Sequence, residues 1–261
     1  MVSTDGSIDW CCWPRFDSGA VFCSILDAGK GGYFQIAPAH RYAASRSYAG
    51  ETNVLESLFK TDDYTFRLTD FMPIVERAEG PRGGNLDPSH RILRLVEGVR
   101  GTSRVNIAFR PSFNYAEAKT EIQAHAAGAG ARANGEQLTL SCPSEFRLDE
   151  SGTACATLDL TEGERIWIAL AYSQGPNATD SAVNRADCDL ERTLRFWNEW
   201  IGACRYDGPY LDAVRRSALA LKMLIYSPSG SIVAAPTTSL PEEIGGARNW
   251  DYRFPGSVIP V

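Results

Sequence analysis

Along the first 172 residues apolar and polar side chains take turns. Tyr64, Phe66 and Leu68 alternate with Thr65, Arg67 and Thr69, and Val105, Ile107 and Phe109 repeat the pattern. Leu138, Leu140 and Cys142 follow it, as do Ile166, Ile168, Leu170 and Tyr172. A period of two sends successive side chains to opposite faces of a strand, so each segment has one buried and one wet face, as in antiparallel sheets. Breaks rich in Gly and Pro separate the segments at 27–32, 79–88 and 126–135. Many strands at short intervals, with no helical periodicity between them, predict a β-sandwich. The two longest breaks read as exposed mobile loops, because strand patterns resume on either side.

Beyond Gly175 the period changes. Leu190, Leu194, Trp197 and Ile201 step by four, three and four and draw one apolar stripe on a helix. Asp187 or Asp189 is placed to cap its start, and Gly202 stands where a helix ends. A second helix is predicted over 207–226, with Leu211, Val214, Ala218, Leu221 and Ile225 on one face. Asp207 would be its N-cap, Pro209 would fall in the first turn where its missing N–H costs little, and Pro228 would stop it. Two amphipathic helices cannot bury both apolar faces without further partners, so the second is expected to expose its stripe.

Composition narrows the chemistry. The 261 residues carry 26 Lys and Arg against 32 Asp and Glu, a net charge of −6 without a basic block, which argues against a nucleic-acid partner. No apolar run approaches the roughly 20 residues of a membrane span, and the opening MVSTDGSIDW lacks the basic start of a signal peptide. Seven cysteines without a CxxC spacing read as small apolar residues of a reduced, cytoplasmic protein. Three scattered histidines, His40, His90 and His125, give no metal spacing, and no nucleotide or nucleophile-elbow motif is present, so neither metal nor cofactor is expected. Gly29, Gly31 and Gly32 around Lys30 make a turn, since no helix follows to aim N–H groups at a phosphate.

The most distinctive stretch is SIVAAPTTSLPEEIGGARNWDYRF, residues 231–254. Glu242 and Glu243 are adjacent acids whose side chains diverge, so at most one faces a ligand. Trp250 and Tyr252 offer flat surfaces for the C–H face of a sugar, or ordinary core packing. Arg248, Asp251 and Arg253 can bond hydroxyls or each other.

Ordered segments along nearly the whole chain resemble bacterial members of glycoside hydrolase family 15, the glucoamylase- and trehalase-like enzymes. They are DGSIDW at Asp5–Trp10, PRFDS at Pro14–Ser18, TDFMP at Thr69–Pro73 and HRILRLVEG at His90–Gly98. RPSFNY at Arg110–Tyr115, TLRFWNEW at Thr193–Trp200, YDGPY at Tyr206–Tyr210 and the long stretch Ala234–Phe254 follow in order. The resemblance implies a trehalase-like antiparallel super-sandwich over 1–175, a helical linker over 176–205, and over 206–261 the truncated start of an (α/α)₆ catalytic barrel. In that family two glutamates invert the anomeric carbon, one protonating the leaving oxygen and one activating water. Both lie beyond the position of Val261, and no residue here matches either, so the expectation is no catalytic residue in this chain. Substrate contact, an α-glucoside, falls to Arg248, Trp250, Asp251 and Arg253. The family's Arg–Asp pair after this motif is absent, and Pro255 would disturb the helix expected there. The PRFDS loop and the terminal segment are both expected near the mouth of the site, with Arg15 close to Asp251.

Two further readings stand beside the hydrolase fragment. A sandwich with exposed Trp10, Trp13, Trp250 and Tyr252 would be a stand-alone carbohydrate-binding module, whereas buried aromatics would favour a domain that supports a barrel. In either case the bare stripe of the second helix predicts self-association.

Overall fold

The alternating segments pair into two stacked antiparallel sheets. The computed structural model describes residues 1–76, 86–87, 89–175, 182–237, 243, 245–247 and 253. In chain order the early strands are β1 (Ser7–Ile8), β2 (Cys11–Cys12), β3 (Ala20–Phe22), β4 (Tyr33–Pro38), β5 (Ala43–Tyr48), β6 (Leu55–Lys60) and β7 (Thr65–Phe71). The short β8 (Val75–Glu76) and β9 (Leu86–Asp87) precede the long β10 (Arg91–Arg100) and β11 (Ser103–Arg110). Then come β12 (Glu121–His125), β13 (Gly128–Ala133), β14 (Glu136–Ser141), β15 (Arg147–Leu148), β16 (Ala154–Leu160) and β17 (Arg165–Gln174). Helices α1 (Ala186–Gly202) and α2 (Leu211–Met223) follow, and a hairpin of β18 (Ile225–Tyr226) and β19 (Ser231–Ile232) closes the regular structure. Among the described residues no helix is long and apolar enough to cross a membrane.

One sheet has the order β1-β4-β11-β16-β15 and the other β12-β13-β14-β17-β10-β7-β6-β5. Their facing sides meet in a single core. Phe34 and Ile36 of β4 and Val105, Ile107 and Phe109 of β11 pack with Phe66 and Leu68 of β7 and with Ile168 and Leu170 of β17. The smaller sheet keeps one wet face, where Arg104 and Asp159 pair in the open.

The larger sheet differs from the simple one-wet-face expectation. In β17 the alternate residues Trp167, Ala169 and Ala171 are buried too, as are Leu93 and Leu95 of β10. Of these, Trp167, Ala169, Leu93 and Leu95 lie under α1, whose Leu190 and Leu194 rest on them. Strands covered on both faces read as continuous apolar runs, which is how ILRLV and IWIALAY look in hindsight.

Inside the sandwich, between Ile92 and Val96, sits Arg94 with no exposed surface. Its Nε donates to Asp70 Oδ1 at 2.6 Å and its Nη2 to Asp70 Oδ2 at 3.3 Å. Nη1 reaches the Phe34 carbonyl at 2.9 Å and Nη2 the Gly6 carbonyl at 2.6 Å, with the guanidinium 4.7 Å from the Phe34 ring. Asp70 and Arg94 are direct partners across β7 and β10.

The stretch 126–135 corrects the loop expectation. It contains β13, paired on both sides, with Ala129, Ala131 and Ala133 buried. Alanine at every second position keeps the strand period while carrying too little apolar bulk to stand out. Of the other long break, Leu86–Asp87 pairs with Val75–Glu76 and the rest lies outside the described residues.

The helix starts are also corrected. A 3₁₀ turn at Ala182–Arg185 leads into α1, so Arg185 occupies the cap position without a side-chain bond. Asp187 and Asp189 instead tie the first turn to the sheet, meeting Arg165 at 3.1 Å and Arg91 at 3.4 Å. Helix α2 starts after Pro209, not before it, because Tyr210 takes a left-handed conformation (φ 64°) and the Tyr206 hydroxyl binds the Pro209 carbonyl. It stops at Met223, and Ile225 leaves the helical stripe to pair with Ile232. Leu219 is the fully buried residue of α2, while Val214, Leu221 and Met223 are exposed.

Replacing Arg94 by Met leaves the buried Asp70 carboxylate without its cation and is expected to cost about 3–5 kcal/mol. Arg104→Met, which breaks the open pair with Asp159, should leave stability nearly unchanged. Urea midpoints of the two variants check the contrast.

Candidate functional site

The connection between β2 and β3, residues 13–19, carries the PRFDS segment at one end of the sandwich. Trp13 enters a cis peptide with Pro14 and is buried, its ring 5.9 Å from that of Tyr172. Arg15 and Asp17 form a two-point pair, Nε to Oδ1 at 2.9 Å and Nη2 to Oδ2 at 2.8 Å. That carboxylate raises the already high pKa of the Arg15 guanidinium. The Ser18 hydroxyl accepts the Arg15 N–H and the Arg15 carbonyl accepts the Ser18 N–H, so the loop closes on itself.

Two other parts of the chain meet this loop. The Phe16 ring lies edge-on to Tyr226 of β18, centroids 5.1 Å apart. Arg253, 4 % exposed, donates from Nη1 to the Phe16 carbonyl at 2.9 Å and reaches Cys12 Sγ at 3.6 Å. Its own carbonyl accepts the Ala234 N–H at 3.0 Å. A cation so deeply covered is stable only where acceptors surround it. Arg253 therefore serves as a rivet between the terminal segment and the sandwich loop.

Behind the loop the backbone is strained. Asn114, Tyr115 and Ala116 have φ of 50°, 57° and 66°, three consecutive non-glycine residues in left-handed conformation. Each costs of order 1–3 kcal/mol unless its surroundings hold it. The holding groups are the Tyr115 N–H to the Ala20 carbonyl, the Tyr115 hydroxyl to the Ser18 carbonyl at 3.3 Å, and Asn114 Nδ2 to Glu117 Oε2 at 3.0 Å. Strain of this kind concentrates where a loop must keep one shape.

Burial disfavours the thiolate form of the nearby cysteines. Burial pushes Cys11 up to about 12, and it pushes Cys12 up to about 11 against the opposing charge and hydrogen bond of Arg253. Among the described residues the carboxylates bonded at the junction are Asp17, engaged by Arg15, and Glu117, engaged by Asn114. Such a set can orient a ligand rich in hydroxyls.

Of the residues singled out from sequence, Arg253 stands at this junction, where it touches the PRFDS loop. Arg248, Trp250 and Asp251 lie outside the described residues, as do Glu242 and Tyr252, so the Arg15–Asp251 proximity falls there too. Trp10 and Trp13 are 4 % and 2 % exposed and form no aromatic platform. The left-handed run at Asn114–Ala116 and the Phe16–Tyr226 contact were not anticipated; the Asn before Tyr115 was the available hint of positive φ.

Residues 1–193 match the family model described as trehalase-like, N-terminal. The chain belongs to this trehalase-like family. Residues 208–255 match a second model, glycosyl hydrolases family 15. A trehalase of Thermoplasma acidophilum is 38 % identical over 262 residues, covering 97 % of this chain and 43 % of the relative. A trehalase of Mycolicibacterium smegmatis is 36 % identical over 271 residues, covering 97 % and 40 %. Trehalase 1 of Sulfolobus acidocaldarius is 32 % identical over 253 residues, covering 96 % and 40 %. The trehalase-like chain thus spans about two fifths of the length of these curated relatives.

Two outcomes are expected of this trehalase-like junction. Arg253→Ala removes a charge-assisted bond worth about 1.5–3 kcal/mol. Trypsin should then cut after the exposed Arg15 about tenfold faster or more, as read by intact mass during limited digestion. The second concerns thiols: iodoacetamide should modify the exposed Cys188 and spare Cys11, Cys12 and Cys142 until the chain unfolds. Their native pKa values lie above the unfolded value near 9, so their contribution to stability is whole below pH 9 and is lost as pH climbs toward 12. Denaturation midpoints across that alkaline range check the sign.

Proposed function

We propose that this chain is the sandwich, linker and opening of the barrel of an inverting glycoside hydrolase acting on α-linked glucose, with trehalose as substrate. The proposed divisions are 1–175, 176–205 and 206–261. The observation that carries the reading is the pair of family matches in one continuous order, 1–193 and then 208–255, shared with proteins named trehalase. Glucoamylase-type substrates belong to the same chemical class, and the names of the relatives favour trehalose within it.

Within that enzyme the part assigned to this chain is support. Arg253 bonds the 13–18 loop at Phe16 and, with Arg248, Trp250 and Asp251, is assigned to substrate contact. No acid of this chain matches the general acid or the general base, and each such role is worth about 10²–10⁴ in rate. The chain by itself is therefore inert toward glycosides. The seven free thiols favour a cytoplasmic setting. The burial of Trp10 and Trp13 speaks against the stand-alone binding module. Val214 and Leu221, which share one face of α2, with Tyr210 at 84 % exposure, form the surface proposed to drive self-association.

Purified chain incubated with trehalose, maltose or soluble starch should release no glucose above a heat-killed control. Placing these residues in the matching segment of the Mycolicibacterium smegmatis trehalase should give a chimera that splits trehalose. A folded chimera that spares trehalose and takes maltose would overturn the substrate, and turnover by the chain alone would overturn the supporting role. Light scattering over a concentration series should show association that Leu221→Lys abolishes.

A further inference from the structure

The half of the large sheet that α1 leaves bare is the place of interest. None of the sheet residues packed beneath α1 (Phe71, Leu93, Leu95, Trp167 and Ala169) comes from β12, β13 or β14. Because Ala129, Ala131 and Ala133 face the core, Gly128, Gly130 and Arg132 of β13 face outward. The flanking strands follow suit: Ile122 and Ala124 of β12 and Leu138 and Leu140 of β14 turn inward, which sends their alternate neighbours out.

Register sorts the outward residues into ranks. Gly130 lies between Gln123 and Thr139, and Gly128 lies between His125 and Ser141. One rank further along, Arg132 stands between Glu121 and Gln137 and closes that end. The middle strand lacks two side chains in succession, so its backbone is the floor of a trough and β12 and β14 are its walls. The enclosed volume is about 180 Å³, below the range of drug-sized sites and on the scale of one ring.

The two glycines have different causes. At Gly128 φ is +141° and an added Cβ would lie 1.9 Å from the Leu140 carbonyl oxygen, so the fold itself requires glycine. Gly130 has no such reason. An added Cβ there would find its nearest atom, His125 Nε2, at 3.7 Å, and the backbone is ordinary strand. Glycine inside a strand costs stability; at Gly130, regularly paired on both sides without a bulge, the remaining recognised cause is close approach by another group.

The walls define that group. Glu121, Gln123, His125 and Arg132 have no side-chain partner among the described residues, and Gln137 Nε2 donates to Thr139 Oγ1 at 3.2 Å. Amides, hydroxyls and an imidazole stand on both sides, and the single Glu and single Arg at one end cancel. A phosphate or polyanion would need an excess of positive charge, and a lipid would need an apolar floor. An uncharged ring carrying hydroxyls at its rim matches both the floor and the walls.

We propose that the trough over Gly130 is a second, non-catalytic saccharide site that seats one hexosyl unit flat on the β13 backbone. Gln123 and His125 bond its hydroxyls from one side and Thr139 and Ser141 from the other. The site is separate from the Arg253 junction and does not depend on which glycoside the enzyme cleaves.

Amide ¹H–¹⁵N spectra of the chain titrated with trehalose and with maltose test it. The expected result is saturable shifts confined to residues 121–132 and 137–141. Gly130→Thr fills the floor with a residue the strand accepts, so it should abolish those shifts while the urea midpoint holds or rises. Gln123→Ala should weaken them. Absence of saturable shifts in the trough overturns the proposal, as does their persistence in Gly130→Thr. Concentration-dependent shifts at these amides without sugar would also overturn it, because they would make the bare face a contact between copies.

Discussion

A guanidinium with no water contact is the constraint on which the sandwich turns. Arg94 would be ruinous in the core if any of its bonds were missing, since the desolvation of a charge is repaid only by a full set of partners. Its acceptors come from three separate places: Asp70 on the neighbouring strand, Phe34 on the opposite sheet, and Gly6 before β1. One side chain therefore clamps the two sheets and the opening segment together. It also sets register. Sliding β10 by one residue against β7 would turn Arg94 to the outer face and bring Leu93 and Leu95 inside, leaving Asp70 without its partner. A hydrophobic pair could supply equal stability; the ion pair adds intolerance of any other alignment.

Around that clamp the helices are secured by the same kind of chemistry at lower stakes. Arg91 and Arg165 hold the first turn of α1 from strands β10 and β17. Arg216 of α2 bonds the Thr52 carbonyl at 2.7 Å and the Asn53 side chain, lies over the Tyr48 ring at 4.0 Å, and Asn53 in return reaches the Leu219 carbonyl at 3.0 Å. Arg253 adds the last tie, back to the 13–18 loop. Arginine suits each position, because its planar donors serve a carboxylate or several carbonyls at once. The sandwich, both helices and the terminal segment are joined by polar contacts whose partners lie far apart in sequence.

Much of this architecture was legible because apolar bulk reports its own periodicity. Phe66, Leu68, Val105, Ile107 and Phe109 declare their faces without help from tertiary context. What escaped did so for three physical reasons. Strand β13 escaped because alanine and glycine carry the correct period without hydrophobic contrast. The outer burial of Trp167 and Ala169 depends on a helix 20 residues later in the chain, which no local pattern encodes. The helix starts were misread because Asp187 and Asp189 had two outlets, a cap or a cation, and the arginines opposite them are visible only in three dimensions. At the junction, an arginine's family motif pointed to Arg253, but its partner, a backbone carbonyl at Phe16, has no signature in any sequence.

The position of β17 has a consequence for how the molecule comes into being. In the large sheet this strand lies between β14 and β10, joining a three-stranded half to a four-stranded half. It is the last of the sandwich strands to leave the ribosome, so until residue 174 has emerged both halves present raw edges and the core stands open. Assembly of the domain is thus a late, concerted event in the life of the nascent polypeptide, with a span of exposure during which the fold itself does not yet cover those edges.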